Sequence, residues 1–298
     1  MAIAKMNKVM LIAPTDKQND LLDAIQELQS LEVTSLEQAK ELFTQKSIVL
    51  KDADEQEVNT LQKQFEGINA AIAFVEKNQK QPSMIQKLKI AREQFTLSEL
   101  QEEVSKWNTD ELVQHVENIR SSLRKKEDEL KELREKETLL RKWSVLDFYP
   151  KDIFKHPYTK TKMGVIPQAV DNVYLEILKN SELISVHEVY HTREEIGLLV
   201  TYPRKAQLEA KTELAKAHFS IVWYAFEEAP SIELKKNLET QKAVVEAKKK
   251  VLDDLQEEKD LLRKLQLSAE VTYNELQKEQ AKNELVNGQH VFVLQGWL

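Results

Sequence analysis

The chain contains no cysteine, and only five of its 298 residues are glycine. The first absence excludes a disulfide framework and any thiolate-ligated metal centre, and fits a reducing compartment. So few glycines leave no phosphate-cradling loop: neither GxxxxGK[ST] nor GxGxxG occurs. Long apolar runs are missing too. Even the run Ile221 to Phe226 is far below the roughly 20 residues needed to cross a bilayer. The run Val9 to Ala13 is too short for the apolar stretch of a signal peptide. Aromatics are sparse at 7%, and positive charge is in deficit, with a net charge of −7. That balance speaks against nonspecific nucleic-acid binding, which needs basic stripes.

Charge of both signs is abundant, at 31% of residues. It favours long exposed helices over a large sheet core. Two heptad-patterned arms are dense in it. The first runs over 109–143, with Leu112, Ile119, Lys126, Leu133 and Leu140 on one row and Val116, Leu123 and Leu130 on the other. Asp110 to Trp143 holds nine acidic and nine basic residues, the pattern of a solvated coiled coil. The second runs over 231–286. Leu234, Leu255, Leu262, Ala269 and Leu276 form one row, set against Leu238, Val245, Leu252 and Tyr273. Stripes this narrow must be buried against each other, so the arms are expected to pair antiparallel. A continuous return helix of that length spans roughly 84 Å at 1.5 Å per residue. Lys126, Gln241, Lys248 and Lys259 interrupt the seams and are read as compliant points.

Lys8 to Ala13 reads as a strand, and Thr15 with Gln18 as a capping box opening a helix to about Gln29. Leu31 to Leu36 reads as a second strand, and Ala53 to Gln79 as a helix. Further capping boxes stand at Ser83/Gln86 and Thr96/Glu99. Between the arms, strands over 162–170, 183–191, 196–202 and 220–226 alternate with helices over 172–180 and 205–217. The order βαββαβ predicts a ferredoxin-like sandwich. Asn287-Gly288 stops the return helix before a last strand, His290 to Trp297. The predicted class is α+β: two small α/β lobes joined by a long helical hairpin. Residues 1–50 with 287–298 form a proximal lobe, 51–143 the outgoing arm, 144–230 the distal lobe and 231–286 the return arm.

His187-Glu188-Val189-Tyr190-His191 matches the HExxH of zinc proteases. That chemistry needs a helix, where histidines four apart lie about 6 Å from each other. The flanking β-branched alternation predicts a strand, which sets them roughly 13 Å apart. Two nitrogens cannot then each reach one Zn²⁺ at about 2.1 Å. A helix here would restore the metalloenzyme reading. The four tryptophans, Trp107, Trp143, Trp223 and Trp297, are scattered and read as core or arm-junction packing. Lys248-Lys249-Lys250 reads as solvated surface.

MNKVMLIAP (6–14), GVIP (Gly164, Val165, Ile166, Pro167) and FVLQGWL (292–298, ending Gly296, Trp297, Leu298) resemble the cytoplasmic half of the membrane subunit of rotary V-type and A-type ATPases. That subunit is called I in bacteria and archaea and a in eukaryotes. The resemblance extends over the layout of the whole chain. It implies a non-enzymatic stator at the cytoplasmic face of the membrane, without cofactor. Peripheral-stalk coiled-coil heterodimers would bind both lobes, and other ATPase subunits near the central stalk would lie close. Nucleic acid is not an implied partner. The ion pathway belongs to a membrane domain expected after residue 298, so no ATPase or transport activity is expected of residues 1–298. A soluble tether unrelated to transport is the alternative from a different class.

Overall fold

The computed structural model describes residues 6–28, 30–34, 55–79, 94–149, 156–288 and 290–298. The expected Ser83/Gln86 capping box and the stretch 35–50 of the expected proximal lobe lie outside the described residues. The chain is a mixed α+β protein with two antiparallel sheets and several long helices. It divides into two compact units, Met1–Ser122 with Val251–Leu298, and Leu123–Lys250.

In the first unit, strand β1 (Lys8–Pro14) leads through a 3-10 turn into helix α1 (Gln18–Leu28), followed by β2 (Glu32–Thr34). Pro14, not a Thr15 side chain, occupies the cap position of that turn, and it makes no side-chain hydrogen bond. The Thr15 N–H instead donates to the His290 carbonyl at 3.1 Å. Helices α2 (Glu55–Asn78), α3 (Leu97–Val104) and the start of α4 (Thr109–Trp143) follow. The chain re-enters the unit near the end of α7 (Pro230–Glu257) and continues through α8 (Leu261–Glu284), β7 (Val286–Asn287) and β8 (Val291–Trp297). Strand β8 lies between β1 on one side and β2 with β7 on the other. Its alternating inner residues Phe292 and Leu294 are fully buried on Leu22 and Ile25 of α1 and on Leu285. The Thr96/Glu99 box is present: Glu99 accepts the Thr96 N–H at 2.8 Å, and the Glu99 N–H donates to Thr96 Oγ1 at 3.3 Å.

The return arm is not one helix. It stops at Glu257 and restarts at Leu261 without a glycine or proline between. The last turn of α7 carries Asp253, Asp254 and Glu257 and no basic residue, which opposes the helix dipole. The side-chain amide of Gln79 donates to the carbonyls of Leu255 at 2.9 Å and Glu258 at 3.1 Å, satisfying groups that would otherwise call for the next helical turn. His115 Nε2 meets the Glu258 carboxylate at 3.0 Å on the same loop. Around this break Ile68, Ala71 and Val75 of α2 pack with Val116, Leu255, Leu261 and Leu265. Gln79→Ala is expected to destabilise this unit by about 1–2 kcal/mol, because two buried-side carbonyls lose their donor. Urea unfolding followed by circular dichroism measures it, and an unchanged midpoint would mean water replaces the amide at no cost.

In the second unit, β3 (Thr159–Pro167), α5 (Val173–Lys179), β4 (Ser185–His191), β5 (Glu195–Pro203), α6 (Gln207–Lys216) and β6 (Ser220–Ile221) follow the end of α4. The strand order is β4-β5-β3-β6, antiparallel throughout. Ile166, Ile196, Leu198, Val200 and Tyr202 bury one sheet face under α5 and α6. Met163, Leu199 and Tyr224 bury the other against Leu140, Trp143 and Leu146. The final strand is shorter than its apolar run predicts. Only Ser220 and Ile221 pair, and Val222, Tyr224 and Phe226 turn into the core as side chains.

Within this unit the ends of α4 and α7 run antiparallel. Lys248 Nζ donates to Glu127 Oε1 at 2.6 Å, and Gln241 Nε2 to Glu137 Oε2 at 2.7 Å, so rising numbers on one helix meet falling numbers on the other. The first arm's rows lie as expected, with Leu123, Leu130 and Leu140 buried. The return arm's second row does not. Val245 is 50% exposed, while Val244 and Asn237 are buried, so the row falls one residue earlier. Lys248 does sit on the seam, half-buried, whereas Lys259 lies exposed in the break between α7 and α8. Lys248→Leu is expected to raise the melting temperature by about 2–4 °C through burial of its side chain. Lys259→Leu should leave it unchanged, and equal shifts in scanning calorimetry would contradict the assignment.

Candidate functional site

The HExxH residues lie on a strand. Along β4, His187 and His191 are exposed and Glu188 is half-buried, with a bulge between Glu188 and Tyr190. Glu188 accepts Lys179 Nζ at 2.6 Å, and its other oxygen accepts His191 Nε2 at 2.6 Å. The Lys179 bond, ahead of the His191 bond, holds the Glu188 carboxyl below the usual range, so it stays an ion-pair acceptor. A zinc protease needs both imidazoles on one helical face, and this backbone separates them. Among the described residues no group of three or more His, Cys, Asp or Glu is placed to hold a metal ion.

The residues that carry the sequence resemblance sit at close-packed strand positions. Gly164 pairs with Leu198 of β5 and Ile221 of β6, Val165 with Gly197 and Ser220, Ile166 with Ile196 and Pro167 with Glu195. A Cβ on Gly164 would lie 2.3 Å from Phe219 Cζ and 2.4 Å from the Ser220 carbonyl oxygen. Gly296 faces the same constraint in the other sheet, where a Cβ would lie 2.5 Å from the Glu32 carbonyl oxygen. Trp297 pairs with Lys8, whose Nζ lies 5.9 Å from the indole centroid. Leu298 exchanges both backbone hydrogen bonds with Asn7, at 2.8 and 2.9 Å. The motifs at the two ends of the sequence are thus neighbours in one ladder, from Lys8↔Trp297 to Pro14↔Val291.

Sequence reasoning did not find the cluster that fixes the end of α4 to the second sheet. Trp143 is fully buried, edge-on to Tyr190 with ring centroids 5.1 Å apart. The Tyr190 hydroxyl donates to Glu195 Oε1 at 2.8 Å, and Lys142 Nζ donates to the same oxygen at 2.7 Å. The Lys142 bond is the largest cause holding Glu195 below the usual carboxylate range, while burial raises the Tyr190 phenol. Only Trp143 carried a signal, as a bulky aromatic at the end of an arm. A second polar layer lies between α4 and α7, where Gln241 Nε2 also reaches Asn237 Oδ1 at 2.8 Å and Arg141 Nε donates to Glu137 at 2.7 Å. These constellations hold elements together. None brings a nucleophile to a base.

No protein-family profile matches the chain, and no curated protein does. Solved structures do. One is the crystal structure of the cytoplasmic N-terminal domain of subunit I, homolog of subunit a, of V-ATPase. It is 13% identical with a TM-score of 0.48, over 98% of this chain and 92% of that one. A likeness that distant carries no weight for function.

Proposed function

We propose that this chain is the cytoplasmic half of the membrane subunit of a rotary V-type or A-type ATPase, a stator that receives peripheral stalks and resists torque. The observation that carries the reading is the pairing of the two terminal motifs, Lys8–Pro14 with Val291–Trp297, in one sheet. The family reading requires both ends of this half to meet in a proximal lobe. In this proposal residues 1–50 and 287–298 form that lobe, 144–230 a distal lobe, and 51–143 with 231–286 the paired coiled-coil arms. The strand order β4-β5-β3-β6 with two helices on one face supports a ferredoxin-like distal lobe. The signature residues Gly164 to Pro167 and Gly296 to Leu298 serve it as packing positions, not as contacts with ligands. The chain faces the cytoplasm beside the other ATPase subunits. No helix among the described residues is long and apolar enough to cross a membrane. Polar interruptions such as Gln241 and the break between α7 and α8 give the arms points that yield under load.

The test is binding of the purified chain to the peripheral-stalk heterodimer of the same organism, followed by sedimentation velocity. A stoichiometric complex at micromolar concentration, with no ATP hydrolysis by the chain alone, is expected. Absence of any complex would leave the chain a tether unrelated to transport, and ATP turnover would refute the stator role directly.

A further inference from the structure

The second unit carries a basic patch with no ion-pair partner among the described residues. Lys160 and Lys162 are two apart on β3 and share the sheet face on which Ile166 is buried. Lys160 Nζ donates to Gln207 Oε1 at 3.2 Å, and Lys211 stands one turn further along α6. Burial lowers the Lys162 ammonium from its ordinary value, and repulsion from Lys160 and Lys211 adds to that. Among the described residues no carboxylate pairs with any of the three, and the nearby Glu213 is taken by Lys216 at 2.8 Å.

Uncovered apolar surface adjoins these lysines. Ile221 stands opposite Gly164 in the ladder, on the face shared with Lys162, and is 60% exposed. Val222, Tyr224 and Phe226 turn into the core beside Met163, which leaves Trp223 on the outer side at 80% exposure. An isolated exposed tryptophan is ordinary; Trp223 lies two residues beyond Ile221, which shares a sheet face with Lys162, so exposed apolar and cationic groups meet at this edge of the sheet.

We infer that Lys160, Lys162 and Lys211, with Ile221 and Trp223, dock an acidic segment of a partner protein that carries apolar side chains between its carboxylates. Charge complementarity selects the occupant. Three clustered cations on a chain of net charge −7 attract carboxylates, and those carboxylates relieve the mutual repulsion of the lysines. Nucleic acid fits less well, because phosphate tracking needs a longer row of cations than three. A lipid surface fits less well because Lys162 is half-buried and cannot lie flat against a plane of headgroups. The inference stands apart from the stator reading, since it names a partner's chemistry and not its place in an ATPase.

The experiment titrates the full chain with a fluorescein-labelled peptide alternating glutamate and leucine. Saturable binding is expected, with a tryptophan emission shift that disappears in Trp223→Phe. The triple variant Lys160→Gln, Lys162→Gln, Lys211→Gln should bind at least about tenfold more weakly. Lys211→Glu alone, on an exposed helix face, should weaken binding without disturbing the fold. Equal binding by wild type and variants, no binding of the peptide, or preference for single-stranded DNA or phosphatidylglycerol vesicles would each overturn the inference.

Discussion

Gly164→Ala is expected to destabilise the unit Leu123–Lys250 by about 3 kcal/mol and lower its melting temperature by about 10 °C. The added methyl group would lie 2.3 Å from Phe219 Cζ and 2.4 Å from the Ser220 carbonyl oxygen. The ring could swing away, but the carbonyl is backbone, held by the Val165↔Ser220 pairing and by the Val222 N–H donated to Met163 O at 2.9 Å. Moving it also disturbs His218, two residues earlier, which already holds a left-handed φ of 52°. A control separates this clash from a generic glycine effect. Gly67 lies inside α2, where a Cβ would come no nearer than 4.0 Å to Val113 Cγ1. Gly67→Ala should therefore stabilise by about 0.5–1 kcal/mol, the usual difference in helix preference. Thermal unfolding by circular dichroism reads both. A Gly164→Ala protein as stable as wild type would show that β6 moves aside freely, and would remove the packing account of that motif.

The sequence announced some of these features and concealed others for identifiable reasons. Period-two runs located β4 and β5 within a residue or two because sheet burial repeats every second side chain. The Thr96/Glu99 box was legible because its bonds are local. The return seam was misphased because Val244 and Val245 are both apolar, so hydropathy cannot say which faces inward. Its true members include buried Asn237, Ser268 and Thr272, which no apolar pattern can reveal. The break after Glu257 depends on Gln79, 176 residues from the Leu255 carbonyl it binds. Only the acidic last turn of α7 hinted at it. The three-lysine patch was equally hidden, since Lys211 joins Lys160 and Lys162 only after α6 folds over the sheet.

Trp143→Ala is expected to cost about 3–5 kcal/mol, because the side chain is fully buried and its neighbours cannot close the cavity. The walls of that cavity are fixed. Tyr190 is held by its bond to Glu195, and it lies so close to Gly197 that a Cβ there would approach its ring to 2.1 Å. Lys142 pins the same carboxylate from the helix side. Trp143→Phe should cost far less, about 1–2 kcal/mol, for a specific reason. The indole Nε1 is buried without a hydrogen-bond partner, so phenylalanine removes volume while also removing an unsatisfied donor. The edge-on contact with Tyr190 survives in part, and such pairs contribute about 0.5–1.5 kcal/mol beyond buried area. Tyr190→Phe tests the other half of the cluster, since it keeps the ring but leaves Glu195 with Lys142 alone. Chemical denaturation of the three variants gives the order Trp143→Ala, then Tyr190→Phe, then Trp143→Phe, from most to least destabilised. If Trp143→Phe proves as costly as Trp143→Ala, the indole nitrogen has a partner that matters, and the end of α4 is held by polarity instead of packing.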